Sequence, residues 1–237
     1  MIKKFLKHLI YREQADSDSL IDYLKRKGAT IGKDVHIFNI RKSHIDTLNP
    51  HLIVIGDHVN ITGATILTHD YSWSVLKRLT GAVVGNQKPV IIGNNCFIGF
   101  NSVILAGSKI GDNVIIGANS VVSGVIDSDS VYAGNPAVKI MDIHTFFQKR
   151  LMRQFEEAKC IAIHYYRAHK KIPPKELFHE YFYIFTREID KIESPVFENK
   201  LELCGNKTQC IDYLRSRTPQ FDCYESFIKE CLKEEIL

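Results

Sequence analysis

Residues 91–123 read IIGNNCFIGFNSVILAGSKIGDNVIIGANSVVS. An aliphatic side chain recurs at every sixth position, at Ile92, Ile98, Ile104, Ile110, Ile116 and Val122, and glycine follows it at Gly93, Gly99, Gly111 and Gly117. A small or short residue (Cys96, Ser102, Ser108, Val114, Ser120) sits four places after the aliphatic. A helix has period 3.6 and a free strand period 2, so period six matches neither as a continuous element. It matches a chain that turns a corner every six residues. Each aliphatic then points into a narrow triangular interior, the adjacent glycine permits the backbone angles of the corner, and three sides close one coil. Successive coils stack as parallel strands about 4.8 Å apart. The open ends of such a stack predict flanking helical caps and assembly with further copies of the chain.

Working outward, Ile55, Ile61 and Leu67 keep the same phase, with Gly56 after the first, and Ile31-Gly32 and Ile37 form a third fragment. Ile37 and Ile55 are three periods apart, which predicts a phase running through Ser43 and Asn49. The phase breaks between Leu67 and Ile92, and Gly81, Gly85, Asn86 and Pro89 mark residues 71–88 as a loop extruded at a corner. Ahead of the coils, the capping-box spacing of Ser19 and Asp22, the shared face of Leu20, Ile21 and Leu24, and Lys25-Arg26-Lys27-Gly28 predict a capping helix near residues 18–27. Ile2, Phe5, Leu6, Leu9 and Ile10 form one stripe, read as packing on the body, with a membrane-surface helix as the alternative. Behind the coils, Phe147, Leu151, Phe155, Ala158, Ala162 and Tyr165 mark a long helix ending before Pro173-Pro174. Leu177, Phe178, Tyr181, Phe182, Phe185 and Ile189 mark a second, aromatic-rich helix, and a third follows Asp222. The chain therefore divides into an N-terminal helical cap (1–30), a coiled domain (31–140) and an α-helical extension (141–237).

The 237 residues are 45% hydrophobic, enough for a real core. Lys plus Arg exceed Asp plus Glu by 31 to 27, and the excess is not clustered as a nucleic-acid footprint requires. No apolar run approaches a membrane span and the N-terminus has no signal-peptide core, so a cytoplasmic chain is expected. The six cysteines suit reduced thiols. Cys204, Cys210, Cys223 and Cys231 lack the close Cys-x2-4-Cys pairs of common zinc sites, and no metal is expected.

The strings Ile55-Gly56-Asp57-His58-Val59, Thr68-His69-Asp70, Ile91 to Gly99, Ile110 to Ala118 and Ala133-Gly134-Asn135-Pro136-Ala137 resemble the hexapeptide-repeat acyltransferases. The likeness is strongest to the maltose, galactoside and nodulation-sugar O-acetyltransferases and to the xenobiotic acetyltransferases. It covers a little over a third of the chain, from Ile55 to Ile140. The implied fold is mainly β, a left-handed parallel β-helix; the hand comes from the resemblance alone, since the general crossover rule favours the opposite one. The resemblance also implies a homotrimer with acetyl-CoA as co-substrate in a groove along the coils between neighbouring subunits.

Acyl transfer from a thioester needs a base for the acceptor's proton, dipoles for the developing oxyanion, and a track for the donor. His69 stands where the last ordered coil position meets the extruded loop, and the resemblance implies that it is the catalytic base. Asp70 is the candidate for fixing the imidazole tautomer. His51 lies eighteen residues before His69 and would stack beneath it if the phase held; together with Asn39 it is a candidate for the acceptor site, a solvent-facing corner being the alternative. Tyr71 and Trp73 open the loop and suit stacking on a sugar ring or pinning the loop to a neighbour. Family positions for coenzyme A fall on Phe100, Ala118, Ser123 and Gly124. The last departs from a lysine common in relatives, so Lys139 and Lys109 are candidates for the phosphate contacts. The expected activity is O-acetylation of a sugar or surface-polysaccharide precursor. The alternatives are N-acetylation of an aminosugar or xenobiotic, a zinc lyase of the carbonic-anhydrase type on the same fold, and a non-catalytic scaffold.

Overall fold

The computed structural model describes residues 10–186 and 194–236, and the chain separates into two compact units after Phe146. In the first unit the strands from Thr30–Ile31 to Ser130–Ala133 pair in parallel with the strand one coil away, which gives three columns. The first column stacks Ile31, Ile55, Ile92, Ile110 and Ile126, the second Ile37, Ile61, Ile98 and Ile116, and the third Ile45, Ile66, Ile104 and Val122. All are buried, and together they form one continuous core along the axis of a parallel β-helix.

Glycine works differently in the corners from what its spacing suggests. The left-handed angles fall on Asn95, Asn101, Asn113 and Asn119, with φ of 53°, 59°, 56° and 57°. Asparagine tolerates this region better than most residues. Its amide also bridges the coils: Asn95 Nδ2 donates to Asn113 Oδ1 at 2.8 Å and Asn101 Nδ2 to Asn119 Oδ1 at 2.7 Å. Gly93 and Gly99 are required by close approach instead, since a Cβ on Gly93 would lie 2.7 Å from the Gly111 carbonyl and one on Gly99 2.5 Å from the Ile116 oxygen. The short residue between them has its own reason. Ser102, Ser108 and Ser120 are buried, and their hydroxyls donate to Gly117, Leu105 and Gly117 carbonyls at 2.9, 2.7 and 2.7 Å, so no interior polar group there is left unpaired.

The early coils depart from the six-residue phase. Turns of 3₁₀-helix at Ile40–Lys42 and Pro50–Leu52 add residues to the corners, so Ile45, not Ser43, points inward, and Asn49 ends outside the interior. Ile66 takes the inward position expected of Leu67. Helix α1 spans Ser17–Arg26 and is capped by Asp16, whose Oδ1 accepts from Ser19 N at 2.9 Å, in place of the expected Ser19–Asp22 box. Its Leu20, Ile21 and Leu24 join the coil core and close the first end. The stripe from Ile2 to Leu9 lies outside the described residues. The segment expected as a loop contains helix α2 (Trp73–Thr80), which stops at Gly81 with φ 78°. At the far end, strand Val138–Asp142 pairs antiparallel with Ser130–Ala133.

The second unit is helical. Helix α3 spans Ile143–His169, its first turn capped by Asp142 through Thr145 N at 2.8 Å. Helices α4 (Pro195–Glu202), α5 (Lys207–Arg215) and α6 (Tyr224–Ile236) follow. The expected second aromatic helix is absent among the described residues: Lys175–Phe178 and Phe182–Ile184 are two 3₁₀ turns, and Ile189 is not among those described. Their rings still converge, Phe178 and Phe185 meeting Phe227 at 5.0 and 4.9 Å over the small Ala158 and Ala162. Cys231 belongs to this core, and burial pushes its thiol up to about 12. Among the described residues no helix is long and apolar enough to cross a membrane, and no group of His, Cys, Asp and Glu is arranged to hold a metal ion.

Candidate functional site at the His69 corner

The third column ends in a corner made by Leu67–His69 in one coil, Leu105–Gly107 in the next and Ser123–Gly124 in the one after, registered by Leu67 N to Ile104 O at 2.9 Å and Leu105 N to Val122 O at 3.0 Å. The extruded segment leaves and re-enters here. His69 bridges Gln87, and Lys88 N donates to Thr68 O at 2.9 Å.

His69 is held from behind by Asp46. Its Nδ1 lies 2.6 Å from Asp46 Oδ2, with the histidine side chain 20% exposed and the aspartate 3%. Thr68 donates to the same oxygen from Oγ1 at 2.5 Å and from its amide at 3.1 Å, and Leu48 N donates to Oδ1 at 2.8 Å. Burial opposes ionisation of Asp46, but the Thr68 hydroxyl, the Leu48 amide and His69 outweigh it and hold the carboxyl at about 2. An ionised carboxylate only accepts, so the shared proton sits on His69 Nδ1, which in the neutral form of the ring leaves the lone pair on Nε2.

Asp70 does not perform the role expected of it. Its Oδ1 accepts from Ser72 N at 2.9 Å and Ser72 Oγ at 2.6 Å, and its Oδ2 accepts from Asn86 Nδ2. The Ser72 hydroxyl and then the Asn86 amide hold it at about 2. Asp70 thus ties the neck of the loop, and the carboxylate on the imidazole comes from Asp46. Asp46 escaped the sequence reading because it sits one place after Ile45, on a coil whose 3₁₀ turns displace it from the eighteen-residue register. The signal available was Ile45 itself, the only isoleucine between Ile40 and Ile53.

His51 is not beneath His69. It is exposed on the turn Pro50–Leu52, its Cβ close to Gly28. Asn39 occupies a left-handed corner with φ 53° and caps the turn Ile40–Lys42 without a side-chain bond. Tyr71 meets the His69 ring edge-on at 5.8 Å, and Trp73 lies 5.8 Å from Tyr71.

The positions matched to coenzyme A flank one face. Phe100 and Ala118 are exposed at the corner opposite His69, one coil apart, joined by Asn119 N to Phe100 O at 2.9 Å. Ser123 and Gly124 lie on the His69 corner itself, with nothing within 4 Å of where a Gly124 Cβ would stand. Between the two corners runs the outer face of Thr65–Ile66, Val103–Ile104 and Val121–Val122. Lys42 Nζ is 5.4 Å from the Phe100 ring. Lys139 is exposed and 3.8 Å from Asp127, and Lys109 is exposed too.

The sequence profile of the bacterial transferase hexapeptide family (six repeats) matches residues 89–124. Protein CapG of Staphylococcus aureus is 38% identical over 132 residues, covering 55% of this chain and 75% of its own. A maltose O-acetyltransferase from Clostridium difficile 630 superposes with a TM-score of 0.45 at 26% identity, over 59% of this chain and 83% of its own. A galactoside acetyltransferase in complex with coenzyme A gives 0.41 at 26% identity, over 60% and 80%. The chain belongs to the bacterial transferase hexapeptide family, and its coil is a parallel β-helix.

Proposed function

We propose that the protein is an acetyl-CoA-dependent O-acetyltransferase of a sugar or surface-polysaccharide precursor, with His69 as general base. The observation that carries the reading is the hydrogen-bonded chain Thr68–Asp46–His69 at a coil corner beside an aromatic loop. In the reaction, Nε2 of His69 takes the proton of the acceptor hydroxyl as its oxygen attacks the thioester carbon. Asp46 stabilises the imidazolium so formed, and the carbon–sulfur bond breaks as the proton passes to the departing thiolate. The donor lies along the face between Phe100 and Ala118 on one side and Ser123 and Gly124 on the other, with Lys139 or Lys109 toward its phosphates. The acceptor approaches from Tyr71 and Trp73. Acetyl-CoA is a cytoplasmic metabolite and the six thiols are unpaired, which supports a cytoplasmic enzyme.

The direct test is thiol release from acetyl-CoA against a panel of sugars, aminosugars and small amines. Turnover with hydroxyl acceptors is expected. Turnover confined to amines would replace O- by N-acetylation, and none with any acceptor would leave a scaffold.

A homotrimer fits the three flat faces of the coil and a donor groove shared between subunits. Light scattering is expected to give three times the 27.1 kDa chain mass at micromolar concentration, and a monomer would remove the shared groove.

Trp73→Ala is expected to raise the acceptor KM or change acceptor preference, because losing one stacking aromatic removes about 1–3 kcal/mol from the ligand it touches. The acetyl-CoA KM should stay within about a factor of three. Loss of acetyl-CoA affinity with unchanged acceptor selectivity would assign the loop to the donor.

A further inference from the structure

We infer that the helical unit carries its own binding site for a single sugar ring bearing a carboxylate or phosphate group. The site is a cavity of about 200 Å³ among residues of this unit alone. That is smaller than the roughly 300–1,000 Å³ of sites that enclose drug-sized ligands, and suits one ring. Phe147 and Leu151 from the first turns of α3, Tyr183 from the turn Phe182–Ile184, and Tyr213 from α5 form its walls. Phe147 and Tyr183 both meet the Tyr213 ring edge-on, at 6.4 and 5.7 Å, so the three aromatics brace one another. Apolar aromatic walls of this kind receive the C–H face of a pyranose.

The remaining lining groups are polar and unevenly charged. Arg150, Gln154 and Arg217 contribute two guanidinium groups and an amide, with no carboxylate in the lining. The Arg217 guanidinium lies 5.5 Å over the Tyr213 ring, an orientation set by cation–π attraction. Among the described residues it has no carboxylate within ion-pairing distance. Among the described residues the one carboxylate near Arg150 is Glu157, at 3.8 Å with the arginine more than half exposed, a pair of little net worth that leaves guanidinium donors available. Guanidinium groups match carboxylate and phosphate oxygens bidentately. Burial, then Cys210, holds the Tyr183 phenol above its usual range, so its hydroxyl stays protonated at neutral pH. The sum is a small aromatic box with an anion clamp, a combination that neutral sugars and bare anions would each satisfy only in part.

The test titrates the full chain, by calorimetry and saturation-transfer NMR, with glucuronate, glucose 1-phosphate, glucose and inorganic phosphate. At least one of the two charged sugars is expected to bind about tenfold or more tightly than both glucose and phosphate, with affinity falling as salt rises. Whichever charged sugar binds better identifies the anion as carboxylate or phosphate ester. Arg217→Gln should raise that Kd about tenfold, and Arg150→Gln should also weaken binding. Both side chains are on the surface, and circular dichroism checks that the variants fold. Equal binding of glucose, equal binding of inorganic phosphate, no saturable binding, or an unchanged Kd in the folded double variant would each overturn the inference. The readout involves no turnover, so it stands or falls apart from acetyl transfer.

Discussion

His69→Ala is expected to lower kcat by about 10² to 10⁴, the usual worth of a positioned general base, while calorimetric binding of coenzyme A stays nearly unchanged. The split follows from where the ring sits. His69 stands at the neck of the extruded segment, held by Asp46 and flanked by Tyr71. The matched donor positions Phe100 and Ala118 lie at the opposite corner of the same face. Removing the imidazole deletes the proposed proton acceptor and leaves that corner intact. The coil should also survive, because the inward residues of this column are Ile66 and Ile104, and His69 belongs to none of the three stacks. Retained turnover in the variant would move the base elsewhere in the molecule.

Asp46→Asn is expected to cost about 10² in kcat, because an amide can offer its own N–H to Nδ1 and thereby favour the unproductive tautomer. Nitrogen NMR of the imidazole should show the Nδ1–H form in the wild type and its loss in the variant. A purely structural defect would not produce that change. The same carboxylate makes an acid-stability prediction. The hydrogen bonds on Asp46 hold its carboxyl at about 2 in the folded chain against an ordinary 3.8, so its ionised form stabilises the fold above roughly pH 4. That contribution, about 2 kcal/mol, drains away as pH falls from about 4 to 2. Unfolding monitored across this window should show the loss in the wild type and a flatter profile in Asp46→Asn. Equal slopes would mean that the Asp46 network carries no such free energy.

The regular coils were legible because each inward residue from Ile92 to Val122 is fixed by one short period that nothing interrupts. Where corners gain residues, the period stops informing. Ser43, Asn49 and Leu67 are the places where arithmetic ran on and the chain did not, and the misplacement of His51 and the omission of Asp46 both follow from those insertions. The glycines were found for a reason other than the true one: composition marks them, but only the stacked structure reveals that a Cβ would strike the carbonyl of the next coil. In the helical unit, Phe178, Phe182 and Phe185 stand out in the sequence as one apolar stripe and are buried in the structure. Their spacing fits a helix as well as it fits two 3₁₀ turns, and side-chain burial cannot distinguish the two without the partner Phe227. His69 was legible because a motif surrounds it. Its partner was not, because hydrogen bonds between coils leave no mark in local sequence.

The neck of the extruded segment sets what can change in this architecture without rebuilding it. His69 pairs with Gln87, Lys88 N returns to Thr68 O, and Asp70 ties Ser72 to Asn86, so the two ends of the excursion are clasped at its neck. Everything beyond the clasp is an appendage on a closed ring of hydrogen bonds, and lengthening it costs only the slow logarithmic growth of loop entropy. The coil therefore behaves as a chassis with one interchangeable fitting. Grafting the stretch between Asp70 and Asn86 from one enzyme of this architecture to another should transplant acceptor choice while the proposed base His69, its partner Asp46 and the proposed donor face stay where they are.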